Sequence, residues 1–425
     1  MSIRIPLGKG RKRIELKEVE VLLLKEMLIH RIMRSKDIHD FYKATMDRPP
    51  HTSSITKRLT RLVNTGVLLR LEEALDHNRP SVKWYYYKLA KKGIFALVEA
   101  GWIDNHQAEN LYRQSLSTKI PKPHNLALSS LVNTIRLKSR GQGLLYEHFR
   151  GGTWLEKQPN DLPFMPDWVF QQEDRQIFIE VDTGAESLSL IKEKVNRYMS
   201  YCQSRREEIV IVFSIMDSSV NHLVSSDRSK RIASLKENMP SCQHWPKHLS
   251  IYVLSAERTS DLVIRLLDGL EPLDEEYRGF VLEEWRSELD TFDKYSSQSL
   301  DKAQVYGPDR ITELEVDMTL TIVEKLQIRT IGLLYCEEGS VRSYQKIRYN
   351  HRRTRGTIVH GQKFDEVMII YLNNDALQHD VFGIHLWKNA WLTHRHIWQE
   401  AQKEGGLPLM LKPISPYKRE MIPFE

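Results

Sequence analysis

Two short runs decide how this chain reads: Met165-Pro166-Asp167-Trp168-Val169-Phe170 and Ile177-Phe178-Ile179-Glu180-Val181-Asp182, with the polar stretch 171–175 between them. Each is apolar enough for a strand, and the stretch between them is turn chemistry, so together they predict a β-hairpin. Residues two apart in a strand share a face. Glu180 and Asp182 therefore point the same way, and Asp167 can join them from the neighbouring strand. Converging carboxylates repel one another unless a divalent cation or a positive group offsets them. The plainer reading of Asp182 is that, with Thr183, it caps the helix that follows.

That helix spans about Glu186 to Cys202, with Leu188, Ile191, Val195, Tyr198 and Met199 as its inner stripe. Lys192 and Lys194 flank the stripe, and either can reach back toward the acids. Upstream, a polar linker (115–123) precedes a helix from His124 to Leu137 and a strand over Leu144–Phe149, where Glu147 is a further acid. His124 reads as a helix-start or core histidine. Downstream, a strand over 208–215, a helix over 228–238, a strand over 249–254 and a helix over 260–267 alternate as in an α/β layer. A central α/β domain is thus expected over residues 124–270.

Residues 15–114 read differently. A helix from Glu15 to Met33, a second from Ser35 to about Thr45 and a third from Thr52 or Ser53 to Asn64 precede strand runs at 67–71 and 82–89 and a closing helix at 91–100. In the third helix, Ile55, Leu59, Leu62 and Val63 share a face, and Lys57, Arg58 and Arg61 lie off it. An apolar stripe that anchors the helix while cations reach a major groove is the pattern of a winged helix, with Arg79 in the wing loop beside the backbone. The blander alternatives are a helical bundle with a solvated basic face, or a winged helix that binds protein.

Pro166-Asp167, a hairpin turn and Glu180-x-Asp182 before a helix resemble the core of the PD-(D/E)XK phosphodiesterases. That resemblance implies a divalent metal, Mg2+ or Mn2+, held by Asp167 and Glu180. It also implies a lysine two residues after the Glu, where this chain has Asp182. A carboxylate cannot supply positive charge to a transition state. So Lys194 or Lys192 supplies the ammonium group from the helix, or Asp182 is an extra metal ligand, or the domain binds without cutting. Adding His124-Asn125-Leu126, Glu180-Val181-Asp182-Thr183-Gly184 and the Lys194–Tyr198 spacing, residues 15–215 resemble the replication-relaxation family of plasmids and mobile elements. This implies a DNA-binding factor in replication or maintenance of such elements, acting on double-stranded DNA, as a homodimer or with other element proteins. A winged-helix-targeted metal-dependent endonuclease and a transcriptional regulator are the competing readings.

The rest follows from composition and pattern. Residues 1–14 form a basic tail, and the chain carries a formal net charge of +6, a weak pointer to an anionic partner. Cys202, Cys242 and Cys336 form no CxxC pair, so a cysteine zinc site is not expected and the pattern fits a reducing cytoplasm. No apolar run is long enough to span a membrane. Residues 271–310 read as a linker or helical excursion. Residues 311–425 read as a C-terminal α/β region of unknown fold, with a helix over 311–326, strands at 331–336 and 367–372, and a Trp-rich helix over 385–402. There, Arg342, Lys346, Arg348, Arg352, Arg353 and Arg355 interleave with Tyr344, Tyr349 and His351, a mixture that suits phosphate contact and base stacking; the blander readings are a solvated basic loop or a patch pairing with acids elsewhere. His394-x-His396 would diverge on that helix and is not expected to hold a metal.

Overall fold

The computed structural model describes residues 3–5, 14–74, 83–117, 123–158, 162, 164–172, 174–218, 228–270, 275–300, 316–324, 327–354, 365–384, 386 and 389–424. It is a mixed α/β structure in which helices pack against sheets in three successive lobes. Among the described residues, no helix is long and apolar enough to cross a membrane.

The N-terminal lobe begins with the paired strands β1 (Ile3–Ile5) and β2 (Ile14–Leu16). Helices α1 (Glu18–His30), α2 (Ser35–Thr45) and α3 (Thr52–Asn64) follow. Helix α1 is shorter than the pattern suggested, because Arg31 takes a positive φ of 63° and the chain turns into strand β3 (Met33–Arg34). Strands β4 (Leu68–Ala74) and β5 (Lys83–Leu89) form an antiparallel hairpin after α3, and β5 also pairs with β3. Helices α4 (Lys91–Glu99) and α5 (Asn105–Ser117) close the lobe. Ile55, Leu59 and Leu62 are buried with Leu23, Leu24 and Met27, as the stripe on α3 requires.

The central lobe is a five-stranded sheet in the order β10-β9-β8-β7-β6. It is built from helix α6 (Pro123–Gly141), β6 (Glu147–Arg150), α7 (Gly151–Leu155), β7 (Trp168–Gln171), β8 (Arg175–Asp182), α8 (Leu188–Gln203), β9 (Glu208–Ile215), α9 (Ser229–Asn238), β10 (Leu249–Ser255) and α10 (Ala256–Leu267). Strands β6, β7 and β8 form an antiparallel meander, and β8, β9 and β10 run parallel. Ile177, Ile179 and Val181 face α6 and α10, and Phe178 faces α8. Strict alternation therefore puts Glu180 and Asp182 on the α8 side. Gly151 is required where it stands: a Cβ there would lie 1.6 Å from the carbonyl oxygen of Pro166.

The third lobe departs most from expectation. Within the stretch read as a linker or helical excursion lies helix α11 (Glu275–Leu289), which is packed into the lobe: its Val281, Leu282, Trp285 and Leu289 are buried. Strand β11 (Ser296–Ser299) then edges a seven-stranded sheet. Part of the expected helix over 311–326 is instead strand β12 (Met318–Glu324), where Leu320 and Ile322 point inward with period two. Strand β13 (Gln327–Tyr335), helix α12 (Val341–Thr354), strand β14 (Glu366–Tyr371) and helix α13 (Asn374–His379) follow. The expected Trp-rich helix divides into strand β15 (Ala390–His394), buried throughout, and helix α14 (Ile397–Glu404). A buried run of that length looks the same to periodicity in a central strand and in a buried helix. Strands β16 (Leu409–Ser415) and β17 (Lys418–Pro423) complete the sheet. His394 ends strand β15 and does not lie on the expected helix; it meets Glu400, and His396 meets Glu288.

Polar contacts tie the lobes together. Asp37 in α2 is buried, bound by Arg34 and by the Ser130 hydroxyl of α6 at 2.7 Å. Between lobes two and three, the buried Lys236 of α9 meets Asp380 at 2.7 Å, and the Val253 amide donates to the Gly339 carbonyl at 2.9 Å. Trp168 is stacked between His30 of the first lobe and His148, at 5.6 and 5.8 Å. Burial pushes His30 down to about 4 and His148 down to about 3. Both rings are neutral in the folded chain well below the pH at which the unfolded chain protonates them. Stability should therefore be complete above about pH 6.5 and fall as pH drops toward 4, by on the order of 3 kcal/mol for His30 alone. Replacing His30 with Phe is expected to flatten the fall in thermal midpoint between pH 7 and 5. An unchanged slope in that variant would assign the acid sensitivity to other groups.

Candidate functional site

Asp167 lies immediately before β7, opposite Glu180 of β8 in the register that pairs Trp168 with Ile179. Its Oδ2 accepts from the Val181 amide at 2.8 Å and lies 2.9 Å from the Nε2 of His124, at the start of α6. Glu180 is buried, at 2% exposure. Its Oε2 accepts from the Lys194 ammonium group of α8 at 3.0 Å, and its Oε1 from the Tyr198 hydroxyl at 2.5 Å. Lys194 and Tyr198 are four apart on one helix face, so a single helix supplies both groups. Lys194 also reaches Glu186 at 3.5 Å.

The electrostatics follow from burial. Desolvation and then the charge of Asp167 push the Glu180 carboxyl up to about 7, against the pull of Lys194 and Tyr198. Burial works against the charge of Lys194, yet the carboxylates of Glu180 and Glu186 hold it above the usual lysine range. The bond to Asp167 raises His124 above the ordinary histidine value. Two acids, an ammonium group and an imidazole thus share one end of the sheet.

The other expected members lie elsewhere. Asp182 is buried on the same face but turns to Arg231 of α9, with Nε–Oδ2 2.7 Å, and accepts from the Gly184 amide at 2.8 Å. Its charge is already neutralised, so it is not placed as an extra metal ligand. Lys192 is exposed on α8, about half a turn from the Lys194 side of the helix. Glu147 is exposed and pairs in register with Gln171, at the end of β7 away from Asp167. His124 reads from sequence as a helix start, and Tyr198 as one of an apolar stripe. The signal that could have found both was the Lys194-x-x-x-Tyr198 spacing, together with a histidine one helix away from an Asp.

The basic surfaces sort in the same manner. On α3, Lys57 and Arg61 are exposed, with Ser53, Ser54, Thr56, Thr60 and Asn64 around them. Arg58 does not share that face: it is half-buried and clamps Glu20 of α1, with Nη2 donating to Oε2 at 2.6 Å. Arg79 lies outside the described residues. In α12, Arg348 pairs with Glu237 of α9, and the buried Tyr344 donates to the same carboxylate at 2.7 Å, so neither is free to meet a base. The side chains of Arg352 and Arg353 lie outside the described residues.

Residues 24–210 match the family model described as replication-relaxation. Over this segment, under half of the chain, the sequence is similar to the replication-relaxation family. No curated protein matches the chain. The matched segment holds α3, Asp167, Glu180 and Lys194, and it ends within β9, so α9, α10 and the third lobe lie beyond it.

In this replication-relaxation segment the state of Glu180 depends on Lys194. Lys194→Met removes the opposite charge and should move the Glu180 carboxyl above about 7, so that it stays protonated at neutral pH. Carboxyl infrared or NMR titration of the variant reads this directly. A titration unchanged from the parent chain would show that Lys194 does not reach the acid.

Proposed function

We propose that this protein binds duplex DNA through a winged helix, with α3 as the recognition helix and β4–β5 as the wing. We also propose that its central lobe is a PD-(D/E)XK-like phosphodiesterase domain acting in plasmid or mobile-element replication. The observation that carries this reading is the Lys194 ammonium group 3.0 Å from Glu180. It puts a cation beside the acid pair although Asp182 occupies the usual lysine position.

The residues fit a divalent cation. Among the described residues, Oδ1 of Asp167 has no hydrogen-bond partner, and Glu180 is a buried acid whose ionisation a neighbouring carboxylate opposes. A cation between Asp167 and Glu180 would relieve that repulsion. Bound there, Mg2+ or Mn2+ would supply Lewis-acid charge neutralisation at a phosphodiester. The chain itself does the rest. Lys194 holds positive charge at the site, His124 orients Asp167, Tyr198 fixes the Glu180 rotamer, and α3 selects the duplex. The second reading is DNA binding without cleavage, favoured by the burial that pushes the Glu180 carboxyl up to about 7 and so opposes the ionised form a cation needs.

Changing Lys57 and Arg61 together to Ala should weaken duplex binding by about tenfold at moderate salt and make it less salt-dependent. Arg58→Ala should chiefly lower the melting temperature, because it leaves Glu20 buried without its partner. Equal duplex affinity in the Lys57/Arg61 variant would remove α3 as the recognition element. Since a cation binds the ionised carboxyl, Mn2+ affinity measured by calorimetry should rise with pH through about 7 and vanish in Glu180→Gln. With supercoiled plasmid carrying the element's own origin, Mn2+-dependent nicking should be lost in Asp167→Asn and Lys194→Met and kept in Lys192→Met. Mn2+ binding with no nicking of that plasmid would select the second reading.

A further inference from the structure

The third lobe repeats the second. In the second, a helix (α6) leads to an antiparallel meander β6-β7-β8, then to α8, β9, α9, β10 and α10, in sheet order β6-β7-β8-β9-β10. In the third, a helix (α11) leads to an antiparallel meander β11-β12-β13, then to α12, β14, α13, β15 and α14, in sheet order β11-β12-β13-β14-β15. Pair directions also match. The last three strands run parallel in both; among the described residues the second lobe has the short helix α7 within its meander, and the third sheet carries the further hairpin β16–β17. Helices α6 and α10 cover one face of the first sheet and α11 and α14 the same face of the second, with α8 and α12 opposite.

The correspondence reaches individual atoms. Asp167 precedes β7, and the Val181 amide donates to its Oδ2 at 2.8 Å. Asp317 precedes β12, and the Tyr335 amide donates to its Oδ2 at 2.9 Å. The registers Trp168–Ile179 and Met318–Leu333 then place Val181 and Tyr335 at one position, and Glu180 and Leu334 at the next. The first helix contributes His124 to Asp167 and Arg278 to Asp317, the latter at 2.8 Å. The helix after the meander contributes Lys194 to Glu180 and Lys346 to Asp317.

One substitution alters the chemistry. Leu334 is fully buried where the second acid should stand. A lone carboxylate between Arg278 and Lys346 carries a surplus of positive charge, which repels a divalent cation and attracts an anion. The site opens into a cleft of about 1090 Å³ against the second lobe, where Lys247, Arg342 and Arg348 join the two cations. The acids lining it besides Asp317, Glu237 and Glu275, leave that balance positive. This is the scale of a ligand-holding cleft, recessed between two lobes where a narrow chain of phosphates can enter.

We propose that the third lobe is a second, degenerate copy of the central fold, in which the cation site has become a cleft that holds the phosphodiester backbone of a single strand without cutting it. This rests on the reading of the protein as one that acts on DNA. The test uses the full chain and a fluorescein-labelled single-stranded oligonucleotide, followed by anisotropy. Lys247→Glu with Arg342→Glu should weaken single-strand binding by about tenfold or more and leave duplex binding unchanged. Asp317→Asn removes negative charge from the cleft and should tighten single-strand binding. Lys247 is exposed, so Lys247→Glu alone, with an unaltered melting curve, should still weaken it several-fold. Equal single-strand affinity in the charge-reversed variants, or weaker binding in a folded Asp317→Asn, would overturn the proposal. If duplex binding is meanwhile still lost on changing Lys57 and Arg61, the DNA-binding reading survives that failure. A parent chain that holds neither single strand nor duplex would sink both.

Discussion

A carboxylate taken out of water beside another carboxylate must be stabilised locally or it stays protonated, and Glu180 is in that position. Much of the central lobe is arranged around it. Helix α8 runs where it does because its apolar stripe covers Phe178 and Ile211, and that placement brings Lys194 and Tyr198 over the acid. Phe164, Phe178 and Tyr198 pack with centroids 4.3 to 6.2 Å apart, which fixes the tyrosine ring under the carboxylate. The aromatic cluster is therefore part of the electrostatics: it excludes water and holds the phenol that donates to Glu180.

Helix α6 couples that site to the rest of the molecule. His124 at its start holds Asp167, and about one and a half turns later Ser129 and Ser130 bind the Ile32 carbonyl and Asp37 of the first lobe. Arg136 of the same helix pairs with Glu26, and the His30–Trp168–His148 stack continues the seam into β7. A rigid helix with polar contacts at both ends fixes the face of α3 relative to the acid pair, so the first lobe is not a tethered module. Burial of Glu20, Glu26 and His30 explains why α1 has no clean apolar stripe: one side meets its own bundle and the other meets cations from α3 and α6.

The second and third lobes show one frame with opposite charge. Keeping an Asp at the head of the second strand of the meander costs little, because a backbone amide caps it in both copies. The difference lies in one inward residue of the next strand, Glu180 or Leu334, and in where the helix cation then turns. Close approach between the lobes is set by glycine: Gly339, at φ 78°, would put a Cβ 2.4 Å from Leu254, and from there its carbonyl accepts from the edge of the central sheet. That docking also covers β10, an edge that would otherwise be open to pairing.

Local pattern alone determined much of this protein. The three N-terminal helices and their hairpin, the meander with its acids and the alternation after it are all periodic, and period is what a sequence carries. The pairing of Lys194 with Glu180 was legible as one of two options, since helical spacing put both lysines near the acids. Tertiary structure decided the rest. Arg58 clamps Glu20, Asp182 turns to Arg231, Arg348 meets Glu237, and His124 joins Asp167. Each of these pairs joins residues far apart in the chain, and no local pattern says which of several exposed-looking charges will find a buried partner. The repeat in the third lobe was hidden for the same reason: it survives in strand order and register, which long-range backbone pairing fixes, and in only a few residues, such as Asp317 and Lys346, too scattered to form a local pattern.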